Sequence, residues 1–218
     1  AIREFAEFNS GFRIAMRDLE IRGAGNLLGA EQSGHLIDVG YDMYLKLLEE
    51  AVLEEKGEKP VNRASSTADL AVSANIPESY VASTEQRMDL YRRIALIRTE
   101  ADADDVLDEL IDRFGEPPDA VTALVRVALL RGEAGRAGIT DISQKAGALR
   151  FTLDSFDMAR VSELYARPEY RGRLRVEAGS VPRISLKLPP KARVLDEASR
   201  FAAAWASTDI SSKEDQGG

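Results

Sequence analysis

The chain predicts an α+β fold, and three observations carry that prediction. Apolar residues recur at helical spacing over 106–114 and again over 194–205. Short period-two alternations mark strands at 149–153 and 184–188. A charged stretch ending in proline, 54–60, separates a glycine-rich first quarter from the rest of the chain. The expected organisation is a helical hairpin with a glycine-rich loop and a following helix (1–53), a linker (54–64), a compact α+β domain (65–207) and a flexible tail (208–218).

The elements follow in order. Ala1 to Phe8 reads as a helix with Ile2, Phe5 and Ala6 on one side and no capping residue ahead of it, as expected of a segment from a longer protein. Ser10-Gly11 breaks that helix. Phe12, Ala15, Met16 and Leu19 then fall at i, i+3, i+4 and i+7, a second short helix; a strand presenting Phe12, Ile14 and Met16 is the alternative. Tyr41, Tyr44, Leu45, Leu48 and Val52 form a further apolar face.

Beyond the linker, Leu70, Val72, Ala74 and Ile76 alternate up to Pro77, which predicts a strand. Ser83 with Gln86 three residues on predicts a helix start ahead of Met88, Tyr91 and Ala95. Val106, Leu107, Leu110, Ile111 and Phe114 form the clearest amphipathic stripe, stopped by Gly115. Pro118 is placed in the first turn of the next helix, with Val121, Leu124, Val125 and Ala128 inward. The last third reads as a strand at 149–153, a helix through Met158, Val161, Leu164 and Tyr165, strands at 174–176 and 184–188, and a helix through Val194, Leu195, Ala198, Phe201, Ala202 and Trp205. Ser207 to Gly218 is polar and expected to fray.

Composition narrows the function classes. The chain has 218 residues, 44% of them hydrophobic, enough for one good core or two small ones. Its net charge of −8 argues against a general polyanion binder, so any DNA contact must be local. Without cysteine there is no disulfide framework and no thiolate metal site. No apolar run approaches the ~18 residues of a membrane-spanning helix, and no membrane association is expected.

The segment from Arg17 to His35 holds four glycines and two arginines in nineteen residues. Glycine serves where the backbone takes positive φ or approaches another group closely, and an arginine fork recognises phosphate or carboxylate. Gly23-Ala24-Gly25-Asn26-Leu27-Leu28-Gly29 superficially matches a dinucleotide-binding loop, but that loop requires an apolar strand before the first glycine. Here Arg17-Asp18-Leu19-Glu20-Ile21-Arg22 precedes it, charged and helix-patterned, and the chain contains no Gly-Lys-Ser/Thr phosphate loop. A nucleotide-binding enzyme is therefore the weaker alternative, and no cofactor is expected to bind this chain. On residue types alone, Arg22 fits a permanent structural ion pair and Gln32 a turn cap. His35 is the only histidine, so a histidine-based metal cluster is impossible.

Gly11 to Gly25 and Gln32-Ser33-Gly34-His35 closely resemble the translocation motif shared by RecG-type DNA translocases and the transcription-repair coupling factors. Val39-Gly40-Tyr41-Asp42-Met43-Tyr44 points to the coupling-factor family, as do Leu90-Tyr91-Arg92-Arg93-Ile94 and Asp112-Arg113-Phe114-Gly115-Glu116-Pro117-Pro118. The resemblance implies a parent that is an ATP- and Mg-dependent double-stranded DNA translocase of the cytoplasm. Such a parent displaces stalled RNA polymerase, through parts outside this chain, and recruits nucleotide excision repair. It also implies that Arg22 and Gln32, with Gly23, Gly25, Gly29, Gly34 and His35 around them, couple hydrolysis to movement. Residues 65–207 would then be autoinhibitory, packing on an N-terminal UvrB-like region and masking the surface that recruits UvrA. A stand-alone protein-binding module is the competing reading, and under either one this chain alone should hydrolyse no ATP.

Two charged regions complete the candidate list. Asp102, Asp104, Asp105, Asp108, Glu109 and Asp112 fall on the solvent face and acidic first turn of a helix, and the glycine and terminal glutamate of a calcium loop are absent from that spacing. Arg167, Arg171, Arg173, Arg175 and Arg183 form a basic region with Tyr165 and Tyr170 nearby. DNA, an acidic partner or plain solvent could each face it. Asp105, Asp108 and Asp112, and Arg171, Arg173 and Arg175, are the candidate docking residues.

Overall fold

A computed structural model of the chain describes residues 66–214. The hairpin, glycine-rich loop, following helix and linker expected over 1–64 lie outside the described residues. Strand β1 (Thr67–Asp69) leads by an extended segment into helices α1 (Thr84–Ala95), α2 (Glu100–Phe114) and α3 (Asp119–Arg136). The hairpin β2 (Ile139–Lys145) and β3 (Ala148–Leu153) follows, then α4 (Met158–Ala166), a 3-10 turn (Pro168–Tyr170), β4 (Leu174–Glu177), β5 (Arg183–Lys187) and α5 (Val194–Glu214). The α+β class is as the sequence predicts.

The strands form one five-stranded sheet in the order β1-β2-β3-β5-β4. Only β1 and β2 are parallel. One face is apolar: Ala68, Ile139, Ile142, Leu149, Phe151, Leu153, Ile184 and Leu186 are buried there with Val127, Leu130 and Ala134 of α3, Val161 and Leu164 of α4, and Phe201 and Trp205 of α5. Phe151 stacks on Phe201 at 3.9 Å between ring centroids, and Tyr170 meets Phe201 edge-on at 5.8 Å. The Trp205 indole N–H donates to the Ala137 carbonyl at 3.0 Å, so the buried ring leaves no unpaired donor.

A second core lies among the helices, where Leu90 and Ile94 of α1, Val106 and Leu110 of α2, and Val121, Leu124, Val125 and Ala128 of α3 are buried together. Helix α3 serves both cores from opposite sides, which is why its apolar residues run nearly all round it. Gly132 marks its closest approach to the α1–α2 connection: a Cβ there would sit 2.8 Å from the Arg98 Cα. Buried Arg131 donates through Nε to the Ser66 carbonyl at 3.0 Å and ties the start of β1 to α3.

Several expectations need correction. The strand predicted over Leu70 to Ile76 lies instead at Thr67–Asp69. Residues 70–76 keep the alternating burial of an extended chain, with Leu70 and Ile76 buried, but Asn75 N–H donates to the Ala120 carbonyl of α3 and joins no ladder. Alternation reports an extended backbone beside a core, whereas a strand also needs a neighbour. Strand β2 is absent from the sequence reading because a register shift between Ile139 and Asp141 turns Ile139 and Ile142, three residues apart, to the same face. Its tight turn, Ala146-Gly147, has positive φ at both positions but lacks the Asn-Gly or Asp-Gly signature.

At the helix ends the corrections are smaller. Pro118 is the N-cap of α3, and Asp119 is the first helical residue. Ile111 is 44% exposed, and Met158 and Tyr165 are exposed as well, so only part of each predicted stripe faces a core. The expected tail from 208 begins inside α5, whose backbone stays helical to Glu214. Thr208 is buried there, its hydroxyl donating to the Trp205 carbonyl at 2.7 Å.

Candidate docking faces

Helix α2 starts on a reciprocal cap. The Asp102 carboxylate accepts the backbone N–H groups of Arg98 (2.9 Å) and Thr99 (2.8 Å), and the Thr99 hydroxyl accepts the Asp102 N–H at 3.2 Å. Hydrogen bonds from the Arg98 backbone first, then from the Thr99 side chain and backbone, hold the Asp102 carboxyl below the usual carboxylate range. A carboxyl lowered on folding stabilises the fold fully above its unfolded pKa, about 3.9, and that stability is lost as pH falls through the folded value. Asp102→Asn is therefore expected to cost about 0.5–1 kcal/mol at neutral pH, with the difference between the two proteins shrinking as pH falls below about 4. Urea midpoints measured across that range check it; a difference independent of pH would show that the charge contributes nothing.

With Ala103, Val106 and Leu110 inward, the opposite side of α2 presents Asp104, Asp105, Asp108 and Asp112 to solvent. Glu109 differs from these four. It pairs with Arg93 of α1 and with Arg113 at 2.5 Å, and so fastens α2 to α1. Asp105, Asp108 and Asp112 are exposed, and among the described residues no ion pair joins them to a cation.

The basic region divides differently from the sequence expectation. Arg173 pairs with Glu197 of α5 and donates to the carbonyls of Lys187 and Glu169, each at 3.0 Å, holding β4, β5, the 3-10 turn and α5 together. Arg167 pairs with Glu163 at 3.0 Å and reaches the Ser207 hydroxyl at 3.0 Å. Tyr170 is buried, and burial, with Glu169 adding to it, pushes its phenol pKa up; the Tyr165 hydroxyl donates to the Leu174 carbonyl at 3.0 Å. These groups are engaged in the fold. Arg171 and Arg175 remain exposed on the sheet's β4 side. The acidic row on α2 and the arginines at β4 thus sit on separate parts of the domain. Arg150 is absent from the sequence-derived list, although its place between Leu149 and Phe151 in the alternation already turned it away from the core.

A cleft of about 550 Å³ opens between residues 71–73 and the starts of α3 and α5, lined by Val72, Ala120, Ala123, Arg126, Val194 and Asp196. Two of its charged groups satisfy each other, since Arg126 donates to Asp196 at 2.6 Å and holds that carboxyl low. Among the described residues no group of three or more His, Cys, Asp or Glu side chains could hold a metal ion. No described helix is long and apolar enough to cross a membrane. Arg22, Gln32, Gly23, Gly25, Gly29, Gly34 and His35 lie outside the described residues.

Residues 70–164 match the family model of the TRCF domain. Over 162 residues the chain is 41% identical to a transcription-repair-coupling factor of Bacillus subtilis (strain 168), covering 74% of this chain and 14% of that protein. Over 177 residues it is 37% identical to one of Staphylococcus haemolyticus (strain JCSC1435), covering 79% of this chain and 15% of the relative. The chain therefore spans about one seventh of the length of these relatives. Its fold is similar to a crystal structure of the C-terminal domain of transcription-repair coupling factor, with a TM-score of 0.54 at 19% identity, covering 68% of this chain and 96% of that one.

Proposed function

The chain belongs to the transcription-repair-coupling factor family, and on that premise we propose that it works within a longer ATP-dependent double-stranded DNA translocase that displaces stalled RNA polymerase and recruits excision repair. Residues 1–53 couple hydrolysis to movement. ATP and Mg bind elsewhere in the parent, because this chain contains no phosphate loop. The domain from 65 onward is a regulatory docking module that packs on the parent's UvrB-like region and keeps the UvrA-recruiting surface covered.

The observation that supports the docking role is the carboxylate row Asp105, Asp108 and Asp112, exposed without an ion-pair partner among the described residues on a helix whose other side is anchored in a core. A rigid row of one charge gives specificity and orientation to an encounter with a basic surface, and reversing its sign converts attraction to repulsion. In the full-length protein, Asp108→Lys combined with Asp112→Lys is expected to open the autoinhibited state and strengthen UvrA binding by about tenfold, equivalent to about 1.4 kcal/mol. Pull-down titration with UvrA, alongside thermal melts, measures it. Unchanged UvrA affinity in a variant that melts like the parent would remove α2 from the docking surface.

A further inference from the structure

The second face of the sheet has a charge pattern of its own. All the described helices that contact the sheet pack on its apolar face, and the strand registers place polar side chains in ordered rows on the other. Asp69, Ser143, Arg150, Ser185 and Arg175 lie side by side across the five strands in one row; Thr67, Asp141, Thr152, Arg183 and Glu177 lie in the next. Three arginines thus gather on β3, β5 and β4, with small serine and threonine side chains between them. Lys187 extends the strip along β5.

These arginines differ from several others in the domain. Arg93, Arg113, Arg126, Arg167, Arg173 and Arg200 all pair with carboxylates. Among the described residues no ion pair engages Arg150, Arg175 or Arg183, and the Arg150 Nε is buried without a hydrogen-bond partner. Guanidinium groups without a carboxylate partner in the fold remain able to form charge-assisted hydrogen bonds to an incoming carboxylate through their outer N–H groups.

We propose that this face is a docking surface for an acidic protein segment, with Arg150, Arg175 and Arg183 as its carboxylate-binding groups. The strip is narrow. Adjacent strands lie about 4.8 Å apart, so Arg150 and Arg175, two strands apart, are separated by roughly 10 Å. Carboxylates limit it: Asp69 and Asp141 on β1 and β2, the latter accepting from the Thr67 hydroxyl at 2.5 Å, lie to one side, and Glu177 sits beside Arg183 on the edge strand β4. A short helix or strand bearing several Asp or Glu fits along the strip from Arg150 to Arg175. A nucleic acid strand crossing those carboxylates would meet like charge, and among the described strand residues of this face there is no aromatic ring on which a base could stack. The surface is distinct from the carboxylate row on α2, so either can fail without the other.

The test uses the full chain and a fluorescein-labelled polyglutamate peptide, followed by anisotropy at low salt. The unmodified protein is expected to bind it, and Arg150→Glu with Arg183→Glu to weaken binding by about tenfold or more. Arg150→Gln with Arg183→Gln, which keeps polar side chains, should weaken it less and serves as the readout if the reversal melts early. Lys191→Glu, exposed in the turn before α5, should leave affinity unchanged. Failure of the unmodified chain to bind the peptide, or equal affinity in the arginine variants, would overturn the proposal. So would a labelled DNA duplex that binds more tightly than the peptide and is lost with the same substitutions, since the face would then be a nucleic-acid surface.

Discussion

Arg22→Ala or Gln32→Ala in the full-length protein is expected to leave ATP hydrolysis largely intact while abolishing DNA translocation and polymerase displacement. The coupling role proposed for Arg22 asks that its guanidinium bridge carboxylates or phosphates in one geometry and release them in another, so that its loss would uncouple the motor and leave the motor itself working. A purely structural arginine predicts a different outcome. Its removal lowers the amount of folded protein, and hydrolysis and translocation fall together. Triplex-strand displacement and ATPase rate, each normalised to folded protein from thermal melts, separate the two. Normal displacement in both variants refutes the coupling role, and a parallel fall in all three quantities makes both residues structural.

Leu110→Ala is expected to destabilise the domain by about 2–5 kcal/mol, because a fully buried leucine loses both its transfer free energy and its packing. Leu110 is 0% exposed at the centre of the helical core, between α1 and α3. Its neighbour Ile111 sits on the same helix but is 44% exposed, so Ile111→Ala should stay within about 0.5 kcal/mol of the parent. Phe114 falls between them: half-buried, its ring 5.9 Å from that of Tyr80, it should cost less than Leu110 when truncated. Urea midpoints of the three variants check the order. An Ile111 cost equal to that of Leu110 would mean that α2 is rotated about its axis relative to the packing described.

Much of the domain was legible where a local rule and burial agree. Ser83 caps α1, with its hydroxyl accepting the Gln86 N–H at 3.3 Å, and Gly115 ends α2 with φ of +82°, each set by chemistry within a few residues. The strands through Leu149, Phe151 and Leu153 and through Ile184 and Leu186 announced themselves because one face meets the core and the other does not. The docking candidates were legible only in part. A charge run states that solvent or a partner is near, and the exposed aspartates of α2 match that statement. It could not reveal that Arg173 is taken up by Glu197 and two carbonyls from other elements, or that Arg150 and Arg175 fall in one row on either side of β5.

The sequence by itself determined the class of fold, most helix limits, the inward face of most strands and the kinship with coupling factors, since each rests on residues close together in the chain. The tertiary structure decided what depends on distant partners. Residues 70–76 have the pattern of a strand but face α3, so their backbone finds no ladder; β2 lacks the pattern, yet a bulge and two neighbouring strands make it part of the sheet. Pairing needs a partner's backbone within hydrogen-bond reach, and charge recognition needs guanidinium groups brought side by side from separate strands. Neither condition is written in local spacing, because both are set by how the chain returns on itself.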